Sequence, residues 1–442
     1  MPHKGPHVSI SAEYVVNRIL RINLDEFERW PQSVRQLAIE LAEELFLVAY
    51  NPFISASAVR KSVDEHYQNE SQSLAHQYAT AISEGITMFW CAHEAEPAFC
   101  RELEGRLSAI MPDKCIMRRR GALVASSTDA TDLRMELPLL VVEPDTPEQM
   151  SALIRLANEM KFAVIPRGGA SGLTGGTVPA RKRTVVVSTT RLTAKSIDAA
   201  AKTMTCQAGV ITQDAIDFAA AHGLLFTVDP ASKTASTIGG NVAENSGGPF
   251  CFEYGTTIDN LLSWSMVTPT GEIIRTLPVP RHASGPDLTM MFLGSEGTLG
   301  VITEVTLKIH PQPEAREFRA YIFKDFHTAL EAGAELMRSR LNPCAIRLYD
   351  ETETKTHVSK VFGIDLDKGA YLVFGFDGRK DIVASQMKYA REIMEKKFKG
   401  KDLGSKGGEY WWKNKYKFFY PGYMFHVPQA FGTLDTVADF SH

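Results

Sequence analysis

Between Pro166 and Pro179 the chain reads PRGGASGLTGGTVP, five glycines in fourteen residues directly after an apolar segment. A backbone without Cβ atoms at that many points can curl tightly around a bound anion. A phosphate-bearing cofactor is therefore the first expectation, and a turn-rich surface loop the plain alternative. Two more glycine-rich runs follow, STIGGNVAENSGG from Ser236 to Gly248 and GSEGTLGVITEV from Gly294 to Val305. Three such loops in one stretch of chain favour the cofactor. None has the GxGxxG spacing of a Rossmann fingerprint or the GxxxxGK[ST] of a P-loop, which disfavours both of those nucleotide folds.

A chain of 442 residues, 44% hydrophobic and 23% charged, has room for two or three globular domains. The formal net charge of −4 gives no reason to expect a nucleic-acid partner, and the basic clusters at Arg118 to Arg120 and Arg181 to Arg183 read as solvated surface. The first residues lack a basic segment followed by an apolar core. No window approaches the roughly eighteen uninterrupted apolar residues of a spanning helix, so a soluble cytoplasmic protein without a transmembrane segment is expected. Six cysteines are scattered without a CxxC pair. Reduced, mostly buried thiols are expected, with no zinc site and no iron–sulfur cluster built by this chain.

From about Ser11 to about Leu107 apolar residues recur at three and four spacing (Val15, Ile19, Ile22; Leu37, Leu41, Leu45), the signature of helices, with boundaries expected at Asn51-Pro52 and Glu96-Pro97. Trp30, His66, His76, Trp90 and His93 lie here without paired spacing and read as core or surface. Near residue 137 the pattern changes. LPLLVVEP and FAVIP read as short strands flanking a helix that Thr146 can cap, with Pro147 at its first position and Glu148 in its first turn. The order is strand, helix, strand, glycine loop. TVVVS and TMTCQAGV read as further strands, followed by a helix over about 212–222. After VTLKIHPQPE a new unit is expected: strand-like REFRAYIF, a helix over about 326–338, then strand-like CAIRLYD and YLVFGFDG.

PRGGASGLTGG, DPASKTASTIGGNVAENSGG, YGTTIDNLL, VTPTGEI and GSEGTLGVITEVTLKI, in this order, closely resemble the FAD-binding domain of the vanillyl-alcohol oxidase and p-cresol methylhydroxylase (PCMH) superfamily. Within it the chain looks most like the branch that holds D-lactate dehydrogenases, the glycolate oxidase FAD subunit and alkyldihydroxyacetone-phosphate synthase. The resemblance covers roughly residues 137 to 442 and implies an α+β fold. It comprises a PCMH-type two-subdomain FAD-binding domain over 137–313, preceded by an all-helical region over 1–136 and followed by a partial α+β cap domain over 314–442.

The resemblance implies that backbone N–H groups of Gly168, Gly169, Ala170, Ser171 and Gly172, after Pro166 and Arg167, hold the FAD pyrophosphate. It runs Asp229, Pro230, Ala231, Ser232 and Ser236, then Thr237, Gly239, Gly240, Asn241, Ala243, Asn245 and Ser246, along the ribityl chain and the isoalloxazine ring. It places Glu296, Gly297, Thr298, Val301 and Ile302 over the adenine side. Some members attach FAD through a histidine in the first loop. Ser171 stands at that place, so noncovalent FAD is expected, and Ala170 replaces the commoner glycine. In the cap, Arg347 matches an arginine close to flavin and substrate acid, with pairing to Asp350 or Glu351 as the alternative. Lys415 stands where the segment EYWWKNKYKFFYP usually carries arginine, keeping the charge and losing the planar fork. Trp411 and Trp412 read as packing residues.

The family's further strands with active-site histidines have no match up to FGTLDTVADFSH, and His426 and His442 lack the HxH spacing; no metal is assigned. Three functions follow from the resemblance. The leading one is oxidation of a D-2-hydroxy acid of the D-lactate, glycolate or 2-hydroxyglutarate type by hydride transfer to FAD. The others are an ether-lipid synthase, and a flavoprotein subunit dependent on a partner such as an electron acceptor or an iron–sulfur subunit. A homodimer is left open.

Overall fold

The structure, a computed structural model, describes residues 12–417 except 52, 132, 134, 135, 281–283, 363–365 and 367. The segment FGTLDTVADFSH, His426 and His442 therefore lie outside the described residues. The helical periodicity near the start becomes helices Ala12–Leu20, Gln32–Tyr50, Ala56–Ser71 and His76–Ser108. Val16, Ile19, Leu37, Leu41 and Leu45 bury together with Phe27, Trp30, Ile82 and Trp90. His66 lies against Glu40 and Glu44 at 3.5 and 3.1 Å, and His93 stacks on Phe89.

Asn51 closes its helix as expected, whereas Pro97 lies inside the last one. Proline there removes one backbone hydrogen bond and crowds the preceding turn, a cost of about 3 kcal/mol. Burial on both sides outweighs it: Phe89 and Trp90 sit in the helical core, Leu103 and Leu107 in the next one. Each large apolar side chain removed from water contributes about 1.5–3 kcal/mol.

That next core belongs to a four-stranded sheet. Thr184–Ser188 runs parallel to Leu140–Val142 on one side and to Ala163–Arg167 on the other, and Ile116–Met117 adds antiparallel at the edge. The stretch before residue 136 is thus not helical throughout, since Ile116–Met117 joins this sheet and Cys115 and Leu107 pack beneath it. Thr146 caps helix Pro147–Met160 by accepting from the Gln149 N–H at 3.3 Å, as its sequence signature foretold. Five antiparallel strands form the second sheet, in the order Lys195–Asp198, Thr203–Gln207, Val301–Lys308, Leu261–Val267, Ile273–Arg275. Helices Thr212–Ala221 and Ile238–Glu244 contribute Ala215, Ala219, Ile238 and Val242 to its core.

In the third unit Ala315–Phe323 pairs along its whole length with Ala370–Gly378, flanked by Ala345–Tyr349 and Lys401–Leu403. Alternation along the strands sends Tyr321, Phe323, Leu372 and Phe374 toward helices Phe326–Arg338 and Lys380–Arg391. Phe318, Ala320, Tyr349 and Val373 face the other way, where they meet Trp411 of helix Gly404–Asn414 and Phe250 of the second unit. This shared apolar layer seats the third sheet on the glycine loops.

Candidate functional site

A cavity of about 760 Å³ opens where the three glycine runs converge. Pro166 to Gly172 and Thr174 form one wall, and Asp229 to Ser232 with Ser236 and Thr237 form a second. Gly239 to Asn241, Ala243 and Ser246 continue it, and Glu296, Gly297, Val301 and Ile302 form a third. Ile346, Arg347, Trp411 and Tyr416 of the third unit close the remaining side.

The loops interlock before any ligand is considered. A Cβ on Gly169 would stand 1.9 Å from the Ala235 carbonyl oxygen, and one on Gly248 would stand 2.4 Å from the Asp229 carbonyl oxygen, so only glycine lets these backbones meet. Ile238–Glu244 starts at the edge of the cavity, its cap Thr237 accepting from the Gly240 N–H at 3.2 Å. Ala170 takes φ +51°, a left-handed conformation that costs a β-carbon residue about 1–2 kcal/mol. A glycine would adopt this geometry without that cost.

Asn245, Thr298 and Lys415 do not line the cavity. Asn245 ends its helix in the left-handed region and its Oδ1 accepts from the Ile258 N–H at 2.9 Å, fixing the following loop. Thr298 donates to the Ser295 carbonyl at 2.6 Å within a turn. Lys415 is buried, and its Nζ lies 3.6 Å from Asp229 Oδ2 and over the Trp412 ring at 3.8 Å. Arg167 lines the cavity, but its guanidinium donates to the Thr128 and Ala125 carbonyls at 2.8 and 3.3 Å, so it positions the segment behind the wall. Arg347 is exposed on its strand next to the Tyr349 ring. Asp350 and Glu351 accept from the backbone N–H groups of Glu353 and Phe326.

Trp411 and Tyr416 are cavity residues that the sequence reading missed. Trp411 packs as expected, its indole donating to the Tyr349 hydroxyl at 3.0 Å, and one edge of it still reaches the cavity. Glu244 and Glu296 put two carboxyls on the walls. Burial, then the Glu296 carboxylate, pushes the Glu244 carboxyl up. The ligand atoms of Glu253, Cys344 and Asp377 lie within 4.8 Å of one another, and the Arg316 guanidinium pairs with Asp377 Oδ2 at 2.7 Å.

Residues 138–277 match the FAD binding domain family, and residues 312–436 match the C-terminal domain of FAD linked oxidases. The chain thus carries both the FAD binding domain and the C-terminal domain of the FAD linked oxidases. It is 32% identical over 272 residues to the glycolate oxidase subunit GlcD of Bacillus subtilis, covering 61% of this chain and 58% of that one. To a D-lactate dehydrogenase of Anaerostipes hadrus it is 33% identical over 252 residues, covering 55% and 53%. A solved alkyldihydroxyacetonephosphate synthase superposes with a TM-score of 0.63 at 27% identity over 72% of this chain and 63% of that one. The chain thus spans little more than half the length of these curated relatives.

The matched FAD binding domain makes FAD the cofactor. The cavity volume lies in the range of cofactor sites. Asn241 Oδ1 is buried there without a hydrogen-bond partner among the described residues, which suits a donor from a bound group. FAD is held noncovalently, Ser171 offering no imidazole for a histidyl link. Among the described residues no helix is long and apolar enough to cross a membrane.

Proposed function

We propose that this chain oxidises a D-2-hydroxy acid, with the substrate in the part of the cavity that the third unit closes. The observation that carries the reading is Arg347, an arginine on the cavity wall opposite the glycine loops. A guanidinium there can take a carboxylate through two parallel hydrogen bonds and hold the carbon that bears the hydroxyl. Bound FAD supplies the two-electron acceptor. The chain's own residues do the rest: Gly168 to Gly172 present N–H groups to the pyrophosphate, Trp411 and Ile346 exclude water, and Lys415 adds positive charge behind the Asp229 wall. We divide the chain for this work into a helical region to 136, a flavin domain over 137–313 and a cap from 314. The names of the glycolate oxidase subunit and the D-lactate dehydrogenase support the donor class, and the word subunit supports a protein partner that accepts the electrons.

The fold shared with the alkyldihydroxyacetonephosphate synthase favours a second reading, in which Arg347 receives a phosphate. Anaerobic addition of donors to the FAD-loaded protein separates the two. Bleaching near the flavin absorbance maximum by D-lactate, glycolate or D-2-hydroxyglutarate supports the dehydrogenase, bleaching by acyl-dihydroxyacetone phosphate alone supports the synthase, and reduction by dithionite only removes both.

A further inference from the structure

Asp229 is the meeting point of two units. It is 5% exposed, and its backbone carbonyl accepts from the Tyr416 hydroxyl at 2.9 Å. Its carboxylate lies 2.8 Å from Lys233 Nζ and 3.6 Å from Lys415 Nζ. Lys415 and Tyr416 of the third unit follow helix Gly404–Asn414, while Asp229 opens the loop that forms the cavity wall to Ser236. The backbone of Asp229 is backed by Gly248, so little slack remains on that side. Two ammonium groups on one carboxylate leave a local positive excess, and Arg316, which is paired with Asp377, adds to it at Lys415.

We propose that Lys415 is a positioning residue which, charged, holds Asp229 and with it the wall from Asp229 to Ser236 in the arrangement that accepts FAD, without touching the cofactor itself. The inference rests on the assignment of the cavity to FAD. Lys415 is poised to lose its charge in a moderately alkaline medium. Burial lowers its pKa to about 8 against the pull of Asp229, with Lys233 and Arg316 adding repulsion, and Tyr416 is pushed far up by burial. FAD binding to the ordered wall and proton binding to Lys415 then favour each other. Affinity is full below about pH 8 and falls as Lys415 gives up its proton above it.

The test is fluorescence titration of the apoprotein with FAD at several pH values between about 6.5 and about 9.5, on wild type, Lys415→Arg, Lys415→Met and Tyr416→Phe. Wild type should lose affinity on the order of tenfold across that range, the change that one unit of pKa coupling gives. Lys415→Arg, which stays charged, should flatten the profile, and Lys415→Met should bind weakly at every pH. Tyr416→Phe, which loses only the bond to the Asp229 carbonyl, should weaken binding and keep the step. A flat wild-type profile, or a step that survives in Lys415→Arg, overturns the proposal even if Lys415→Met does not fold. Absence of FAD binding at every pH would instead overturn the cofactor assignment.

Discussion

The phenol of Tyr254 donates a 2.7 Å hydrogen bond to Asp377 Oδ1 across the seam between the flavin fold and the third sheet. Arg316 holds the other carboxylate oxygen through Nε at 2.9 Å and Nη2 at 2.7 Å. Glu253 lies beside this pair and stays partly open to solvent; partial desolvation, followed by the Asp377 charge, pushes its carboxyl up to about 8. The folded protein therefore holds a proton on Glu253 that the unfolded chain releases near pH 4.5. Stability from this group is complete below that value and drains away as pH rises toward about 8. Glu253→Gln should remove that component: the difference in Tm between wild type and variant should change steadily between the two pH values, and a constant difference would refute the assignment.

Gly169→Ala places a methyl against the Ala235 carbonyl, where backbone must move. We expect a loss of at least about 3 kcal/mol, at the upper end of overpacking costs, together with loss of bound flavin. Urea unfolding and the flavin-to-protein absorbance ratio check both; a variant with normal yellow colour contradicts the interlocked loops.

Ala170→Gly acts in the opposite direction. With φ at +51°, glycine relieves the left-handed strain, offset in part by its own chain entropy, and a net gain of about 0.5 kcal/mol is expected. The midpoint of chemical denaturation reports it, and a lowered midpoint would show that the loop does not hold this conformation.

Arg347→Lys keeps the charge and loses the fork. If the arginine grips a substrate carboxylate, the donor concentration needed for half-maximal flavin reduction should rise about tenfold, consistent with a lost charge-assisted bond of about 1.4 kcal/mol or more. Stopped-flow reduction with a 2-hydroxy acid measures this, and unchanged saturation would move the acid away from Arg347.

Arg18→Leu tests the clasp between the first helix and the segment that leads into the flavin fold, where the Glu136 N–H donates to the Pro179 carbonyl. The Arg18 guanidinium lies 2.5 Å from the buried carboxylate of Glu136, to which Tyr50 also donates at 3.0 Å. Removing the cation strands that charge, at a cost of about 3 kcal/mol. Adding Glu136→Gln should recover most of the loss, and a double variant no better than the single one would contradict the pairing.

The glycine loops were legible because their spacing records backbone approaches that only glycine permits, as at Gly169. The strands and the Thr146 cap were legible because their signals are local. Pro97 misled, since a local breaker yields to burial supplied by two distant cores. Ile116–Met117 is too short to show a period of two, so its place in the first sheet left no trace. Lys415 was recognisable as a charge at a family position, yet sequence does not say that its side chain turns onto Asp229 while its neighbour Tyr416 faces the cavity. Trp411 was hidden for a similar reason, because one indole serves both packing and the cavity.

Helix His76–Ser108 begins in one core, through Ile82 and Ile86, and ends in another, through Leu103 and Leu107. A continuous rod embedded at both ends transmits loosening from either side to the other, because fraying it in the middle exposes apolar surface in both. The helical region and the first sheet should consequently melt in a single cooperative transition, making the N-terminal helices part of the thermal endurance of the flavin fold and not an independently folding appendage.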